Sequence, residues 1–169
     1  MPRTADLAHT PDALRAVLRT LRAVTGGRPH AVIGCGGGRD TTKRAVMGEI
    51  AACFTDTAIL TADNPRSEDP AAISAAMLGG AGAVPTHERG ELLVIADRAE
   101  AIAAAVARAR PGDTVLIARK GHESGQRVGV ATFPFDDRAV LREAITATGH
   151  FTCRAARRRG RAAWASDPS

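Results

Sequence analysis

Aromatic residues make up 3% of this 169-residue chain, so its core must be built from Val, Ile, Leu and Ala. Cysteine is scarce too. Cys35, Cys53 and Cys153 form no CxxC and cannot all pair, which fits buried or idle thiols in a reducing cytoplasm. No apolar run approaches the roughly 20 residues that a membrane span needs. The N-terminal stretch MPRTADLAHT has no apolar segment of the kind a signal peptide carries. What is present is globular in balance, with 44% hydrophobic and 24% charged residues, and its length suits one domain with its own core.

The net charge of +5 is unevenly placed. Arg154, Arg157, Arg158, Arg159 and Arg161 stand against Asp167 in the last residues, and the rest of the chain holds 18 basic and 17 acidic side chains. The body is therefore near neutral, and residues 150–169 are expected to be a basic, disordered tail. Nucleic acid is not the expected partner, and neither is a membrane.

Periodicity gives a repeating order of helix and strand. Thr10 can cap a helix that begins at Pro11 and turns Leu14, Val17, Leu18 and Leu21 inward. HAVIGCG, TAILTA, ELLVIA and DTVLIAR read as buried strands. Between them, one helix is expected from Thr42 to Phe54 with Val46, Met47, Ile50 and Phe54 inward. A second starts at Asp69-Pro70 with Ile73 and Met77 inward, and a third follows a capping box of Asp97 and Glu100. Residues 79–90 are glycine-rich and read as a loop, 124–135 as edge strands, and DDRAVLREAI as a last capped helix. Strands alternating with helices predict an α/β fold with a doubly wound, mainly parallel sheet.

In such sheets ligands sit at the carboxyl ends of the strands. Those ends carry the unusual polar chemistry: Arg39, Asp40 and Lys43, then Asp63, Asn64, Pro65 and Arg66, then Arg119, Lys120, His122 and Glu123. GCGGGRD is not a dinucleotide fingerprint, because Arg39 stands where the third glycine belongs. There is no GxxxxGKS/T phosphate loop either, so no autonomous ATP site is expected. The glycine turn with Arg39 suits an anion, or is only a tight turn. In ADNPRSE, Pro65 restricts its neighbours and Arg66 can hold a carboxylate by a two-pronged bond, unless the segment is a plain turn leading to a helix cap. Glu123 can accept an ammonium, and Lys120 and His122 can meet an anion or form polar surface. Two arginines and a carboxylate around one crevice match a zwitterion, and an amino acid is the economical ligand. No catalytic triad, metal-ligand set or paired carboxylates stand out.

DLAHTPDAL, GCGGGRDTTKRAVMGEIA, TADNPRSEDP and ARKGHE, followed by FDDRAVLREAI, resemble the C-terminal domain of MurE-type Mur ligases. The likeness runs from about Asp6 to Ile145 in family order. It implies a Rossmann-like domain that binds the amino acid which an ATP-dependent ligase adds to a UDP-muramoyl-dipeptide in peptidoglycan synthesis. It also implies roles: Arg66, with Asp63 and Asn64, for a carboxylate of diaminopimelate, Arg39 assisting, and Glu123 for the distal ammonium. Asp6 and His9 match a hinge segment that touches the nucleotide. Domain boundaries follow: residues 1–27 as hinge and first helix, 28–149 as the ligase C-terminal-like domain, and 150–169 as the tail. The family's P-loop domain and UDP-binding domain have no counterpart in the sequence. Arg119 replaces a family glycine and either crowds diaminopimelate or favours a more acidic amino acid. The expected role is an amino-acid-binding domain working with a separate ATP-binding protein that supplies ATP and Mg. The alternatives are a regulatory amino-acid-binding module and a degenerate remnant.

Overall fold

The computed structural model describes residues 10–38, 40–118 and 125–149. Asp6, His9, Arg39, Arg119, Lys120, His122, Glu123 and the tail lie outside the described residues. Among the described residues, five α-helices and six strands follow one another as α1 (Pro11–Val24), β1 (Pro29–Cys35), α2 (Lys43–Phe54), β2 (Thr57–Ala62), α3 (Pro70–Ala83), β3 (Glu91–Val94), α4 (Arg98–Arg108), β4 (Thr114–Ile117), β5 (Gly125–Val128), β6 (Ala131–Pro134) and α5 (Asp137–Ala147). A 3-10 turn, Thr86–Glu88, precedes β3.

The main sheet is four-stranded and wholly parallel, in the order β3-β2-β1-β4. Every residue of β1 and β2 is buried, because helices cover both faces. On one face, Leu14 and Leu18 of α1, Met47 and Ile50 of α2 and Ile73 and Met77 of α3 pack on Ala31, Ile33, Ala58 and Leu60. On the other, Ile102 and Val106 of α4 and Leu141 of α5 pack on Val32, Ile59, Val115 and Ile117. This alternation along the strands is a three-layer α/β/α domain of Rossmann-like form. The chain reverses its direction of travel across the sheet between β1 and β4, so the ends of β1 and β4 flank the switch point.

The caps act as the sequence predicts. Thr10, Asp69, Asp97 and Asp136 each accept a backbone N–H of their helix through the side chain. Four expectations are corrected. Residues 79–83 continue α3 instead of forming a loop, because Gly80 lets α3 meet α2: a Cβ there would stand 1.9 Å from Ala45 O. Val46 faces outward at 37% exposure, while Arg44 takes a place on the inward stripe with Met47, Gly48 and Ala51. β3 is a half-exposed edge strand. β5 and β6 form a separate antiparallel hairpin, turned at Gly129, and are not edge strands of the main sheet.

Charged clusters tie the frame at both ends of the sheet. Beyond the carboxyl end of β4, Arg98 Nε and Nη2 each lie 2.8 Å from the Asp137 carboxylate, and Nη2 also donates to Ala118 O at 3.1 Å. At the opposite edge, Asp113 accepts the backbone N–H groups of Arg28 (2.8 Å) and Arg110 (2.9 Å), and lies 3.2 Å from His30 Nε2. Burial opposes ionisation of Asp113, but the Arg28 and Arg110 N–H groups, His30 and the Arg28 charge outweigh it and hold the carboxyl well below the usual range. Asp113→Ala is therefore expected to cost about 2–4 kcal/mol, since the buried His30 and two backbone N–H groups lose their shared acceptor. That corresponds to a fall in Tm of roughly 4–16 °C for a chain of this size, read by thermal melting. Ligand binding at the far edge should be unchanged.

Candidate functional site

Two loops leave the carboxyl ends of β1 and β2 side by side. The first turns through Gly36, Gly37 and Gly38, and the second runs from Asp63 to the α3 cap, Asp69. They touch backbone to backbone. Gly37 N donates to Asn64 O at 2.9 Å, and a Cβ on Gly37 would stand 1.9 Å from Pro65 O. Only glycine permits that approach. Gly34 is similarly pressed, with Asp63 Cβ 2.9 Å from the place its own Cβ would take.

Arg66 sits at the centre of this corner. Its φ of 56° places it in the left-handed region, alone among the described non-glycine residues. The β5–β6 hairpin holds it there. Arg66 N donates to Arg127 O at 3.1 Å, and Gly129 N donates to Arg66 O at 2.6 Å. The same hairpin fixes the residues before it: Arg127 N donates to Asn64 Oδ1 at 2.7 Å, and Gln126 Nε2 to Asp63 O at 2.9 Å. Asp63 is 3% exposed, and Pro65 is buried. Asn64 thus serves the scaffold, its side-chain oxygen already engaged by the hairpin.

The Arg66 side chain lies along the glycine loop. Nη1 donates to Gly37 O at 3.3 Å, and Arg66 Nε is buried with no hydrogen-bond partner. Nε is thus closed to an incoming ligand, while the guanidinium as a whole is half-buried, so a carboxylate can meet it only through its outer N–H groups.

Of the two readings of the glycine loop, an anion site or only a tight turn, its N–H groups fit the turn: Gly37 N is taken by Asn64 and Gly38 N donates to Glu68 Oε1 at 2.5 Å. The anion in the loop is the protein's own. Glu68 is held in turn by Arg44, with Nη1 2.9 Å from Oε2 and Nη2 3.0 Å from Oε1, while Nη2 also reaches Gly36 O at 3.2 Å. Arg44 is 5% exposed. Sequence reasoning passed over both residues. The available signal was a basic side chain at an inward helical position, which demands a buried partner. Asp40 caps the turn into α2 by accepting Thr42 N and Oγ1, which lowers its pKa. Lys43 is half-buried at the first residue of α2.

The Arg44 hydrogen bonds, then that of Gly38 N–H, hold the Glu68 carboxyl below its ordinary value of 4.5, against burial. A carboxyl whose pKa is lowered by folding adds stability above its unfolded pKa and loses it as pH falls through the folded one. The Tm gap between the parent and Glu68→Gln should hold from neutral pH down to about 5 and shrink below 4.5, as pH-dependent melting curves would record.

Among the described residues, then, the corner offers a fixed cation and no nucleophile poised beside a base. The family model for "Mur ligase, glutamate ligase domain" matches residues 4–121. The UDP-N-acetylmuramoyl-L-alanyl-D-glutamate–2,6-diaminopimelate ligase of Streptomyces coelicolor is 66% identical over 143 residues, covering 85% of this chain and 28% of that protein. The ligase of the same name from Corynebacterium efficiens is 52% identical over 145 residues, again covering 28% of its length. A solved structure of such a ligase superposes with a TM-score of 0.78 at 42% identity, covering 88% of this chain and 29% of the other. A murein peptide ligase from Psychrobacter arcticus, at 17% identity and a TM-score of 0.58, shares the fold. The chain thus spans little more than a quarter of the curated relatives it matches.

Proposed function

The chain belongs to the Mur ligase family, as a C-terminal domain of MurE type, and from that premise we propose that it binds the amino acid added by an ATP-dependent peptide ligase, with diaminopimelate as the ligand. The observation that carries this reading is Arg66, a half-buried guanidinium fixed by left-handed backbone at the carboxyl edge of the sheet. A planar guanidinium so fixed matches a carboxylate in two places and selects it over a spherical anion. The names of the two curated relatives given above, both 2,6-diaminopimelate ligases, favour that diamino acid.

In the reaction, the amine of the bound amino acid attacks an acyl phosphate. A C–N bond forms, phosphate leaves the acyl carbon, and the amine gives up a proton. The work of this chain is to hold the carboxylate on Arg66 so that the amine is oriented and its approach restricted. Arg39 is the second cation for that carboxylate, and Glu123 the acceptor for the distal ammonium. Arg119, where the family has glycine, sets how much room remains. Asp6 and His9 belong with the nucleotide contact. Among the described residues no three His, Cys, Asp or Glu side chains converge to hold Mg, and the sequence given carries no GxxxxGKS/T loop for the phosphates of ATP. An ATP-binding partner supplies both in this reading, which also implies a cytoplasmic setting. Among the described residues no helix is long and apolar enough to cross a membrane.

Titration calorimetry of the 169-residue chain tests the proposal directly. Heat is expected with meso-diaminopimelate, and less with lysine or glutamate, which offer only one of its two amino-acid centres. No heat with any of them would overturn it.

A further inference from the structure

Three consecutive residues of the glycine loop are each held by a different charged side chain. Arg44 takes Gly36 O, Arg66 takes Gly37 O, and Glu68 takes Gly38 N–H. Arg44 and Glu68 also grip each other through both oxygens. Arg44 comes from α2 and Glu68 from the loop after β2, two residues beyond Arg66, so this one pair ties together the helix and both loops that make the corner.

For stability alone such a pair is a poor choice. Removing Arg44 from water carries a penalty that apolar packing would avoid, and similar pairs elsewhere have been replaced by apolar groups without loss. Arg44 Nε is buried without a partner, an added cost. What the pair does that apolar groups cannot is fix the direction of backbone groups. With Gly36 O and Gly38 N–H held from either side, Gly37 O between them is aimed at Arg66 Nη1. The orientation of the guanidinium then depends on the loop, and the loop on Arg44 and Glu68.

We propose that Arg44 and Glu68 are positioning residues for the Arg66 clasp: they set the glycine loop against which the guanidinium is oriented to receive the substrate carboxylate. The inference rests on the binding role proposed for Arg66. It has a second readout, however, that needs no ligand.

The variants are Arg44→Met, Glu68→Ala and Glu68→Gln, each measured for meso-diaminopimelate binding, thermal melting and hydrogen exchange of the Gly38 amide and the Arg66 Nε–H. Glutamine keeps an acceptor for Gly38 N–H and loses the charge that grips Arg44. Glu68→Gln is therefore expected to melt earlier yet bind within about threefold of the parent. Glu68→Ala and Arg44→Met should bind at least ~10-fold more weakly, and both protons should exchange at least ~10-fold faster in them. A purely structural pair would move binding and melting together in all three variants, and that result would overturn the proposal. So would unchanged exchange in Glu68→Ala. Should Arg44→Met fail to fold, the two Glu68 variants still decide. If the parent binds no diaminopimelate, the functional reading fails by itself, and exchange alone judges whether the pair orients Arg66.

Discussion

Replacing Arg66 with glycine should weaken diaminopimelate binding by about 2–5 kcal/mol, roughly 30- to 4,000-fold, and leave the fold nearly as stable as before. The two effects separate because they come from different parts of one residue. The half-buried guanidinium supplies the binding. The backbone, at a φ of 56°, costs about 1–2 kcal/mol for any residue bearing a Cβ. Glycine removes that strain. It gives up one hydrogen bond to Gly37 O, worth about 0.5–1.5 kcal/mol, and adds freedom to the unfolded chain worth about 0.4–1 kcal/mol. These terms nearly cancel. Arg66→Ala keeps the strain and loses the same bond, so it should melt below Arg66→Gly. Calorimetry and melting curves on both variants check the order. A glycine variant that binds like the parent would remove Arg66 from the site, and an alanine variant at least as stable as the glycine one would deny that its backbone is strained.

The contrast with Asp113 shows how function and stability are divided in this sheet. Asp113 lies at the amino edge with its hydrogen bonds made to Arg28, His30 and Arg110. Arg66 lies at the carboxyl edge in strained backbone with a donor left unpaired. Stability is invested at one end and held back at the other.

Much of the frame was legible in the sequence because its causes are local. A strand buried on both faces must be a continuous apolar run, and HAVIGC and TAILTA are such runs. A helix start is favoured by a side-chain acceptor, and Thr10, Asp69, Asp97 and Asp136 supply one. What stayed hidden depends on residues distant in the chain. Glycine at 80 looks like a loop former until α2 is known to press against it. Arg44 stands at an inward helical position, but the sequence does not show that its partner is Glu68, 24 positions away. The same holds for Arg98 and Asp137, each of which reads locally as part of a helix start. In the site, the residue type at Arg66 was legible. Its left-handed backbone was not, because the hairpin that imposes it begins far along the chain at Gly125. Nor was the filling of the glycine loop by Glu68, since a free loop N–H and an occupied one have the same sequence.

Gly37→Ala should damage the site more than any other single-methyl addition in the corner. The added Cβ would stand 1.9 Å from Pro65 O and 2.8 Å from Pro65 C, both backbone atoms. No rotamer change can relieve a clash with backbone, so the two loops must separate by an ångström or more. That breaks the Gly37 N–H bond to Asn64 O and carries Gly37 O away from Arg66. The strain is of the overpacking kind, about 1–3 kcal/mol in stability. The effect on binding should be larger, because displacement of this size in a pre-aimed site costs on the order of 100-fold. Gly38→Ala is the control one residue away. Its Cβ would meet Arg66 Cδ and Nη1 at 3.6 Å, an ordinary contact, and its φ of 65° carries only the left-handed penalty of about 1–2 kcal/mol. The two variants should therefore lose similar stability and differ about tenfold or more in affinity. Equal affinities would mean that the close approach of the loops is a packing detail, and that Arg66 is aimed by the hairpin alone.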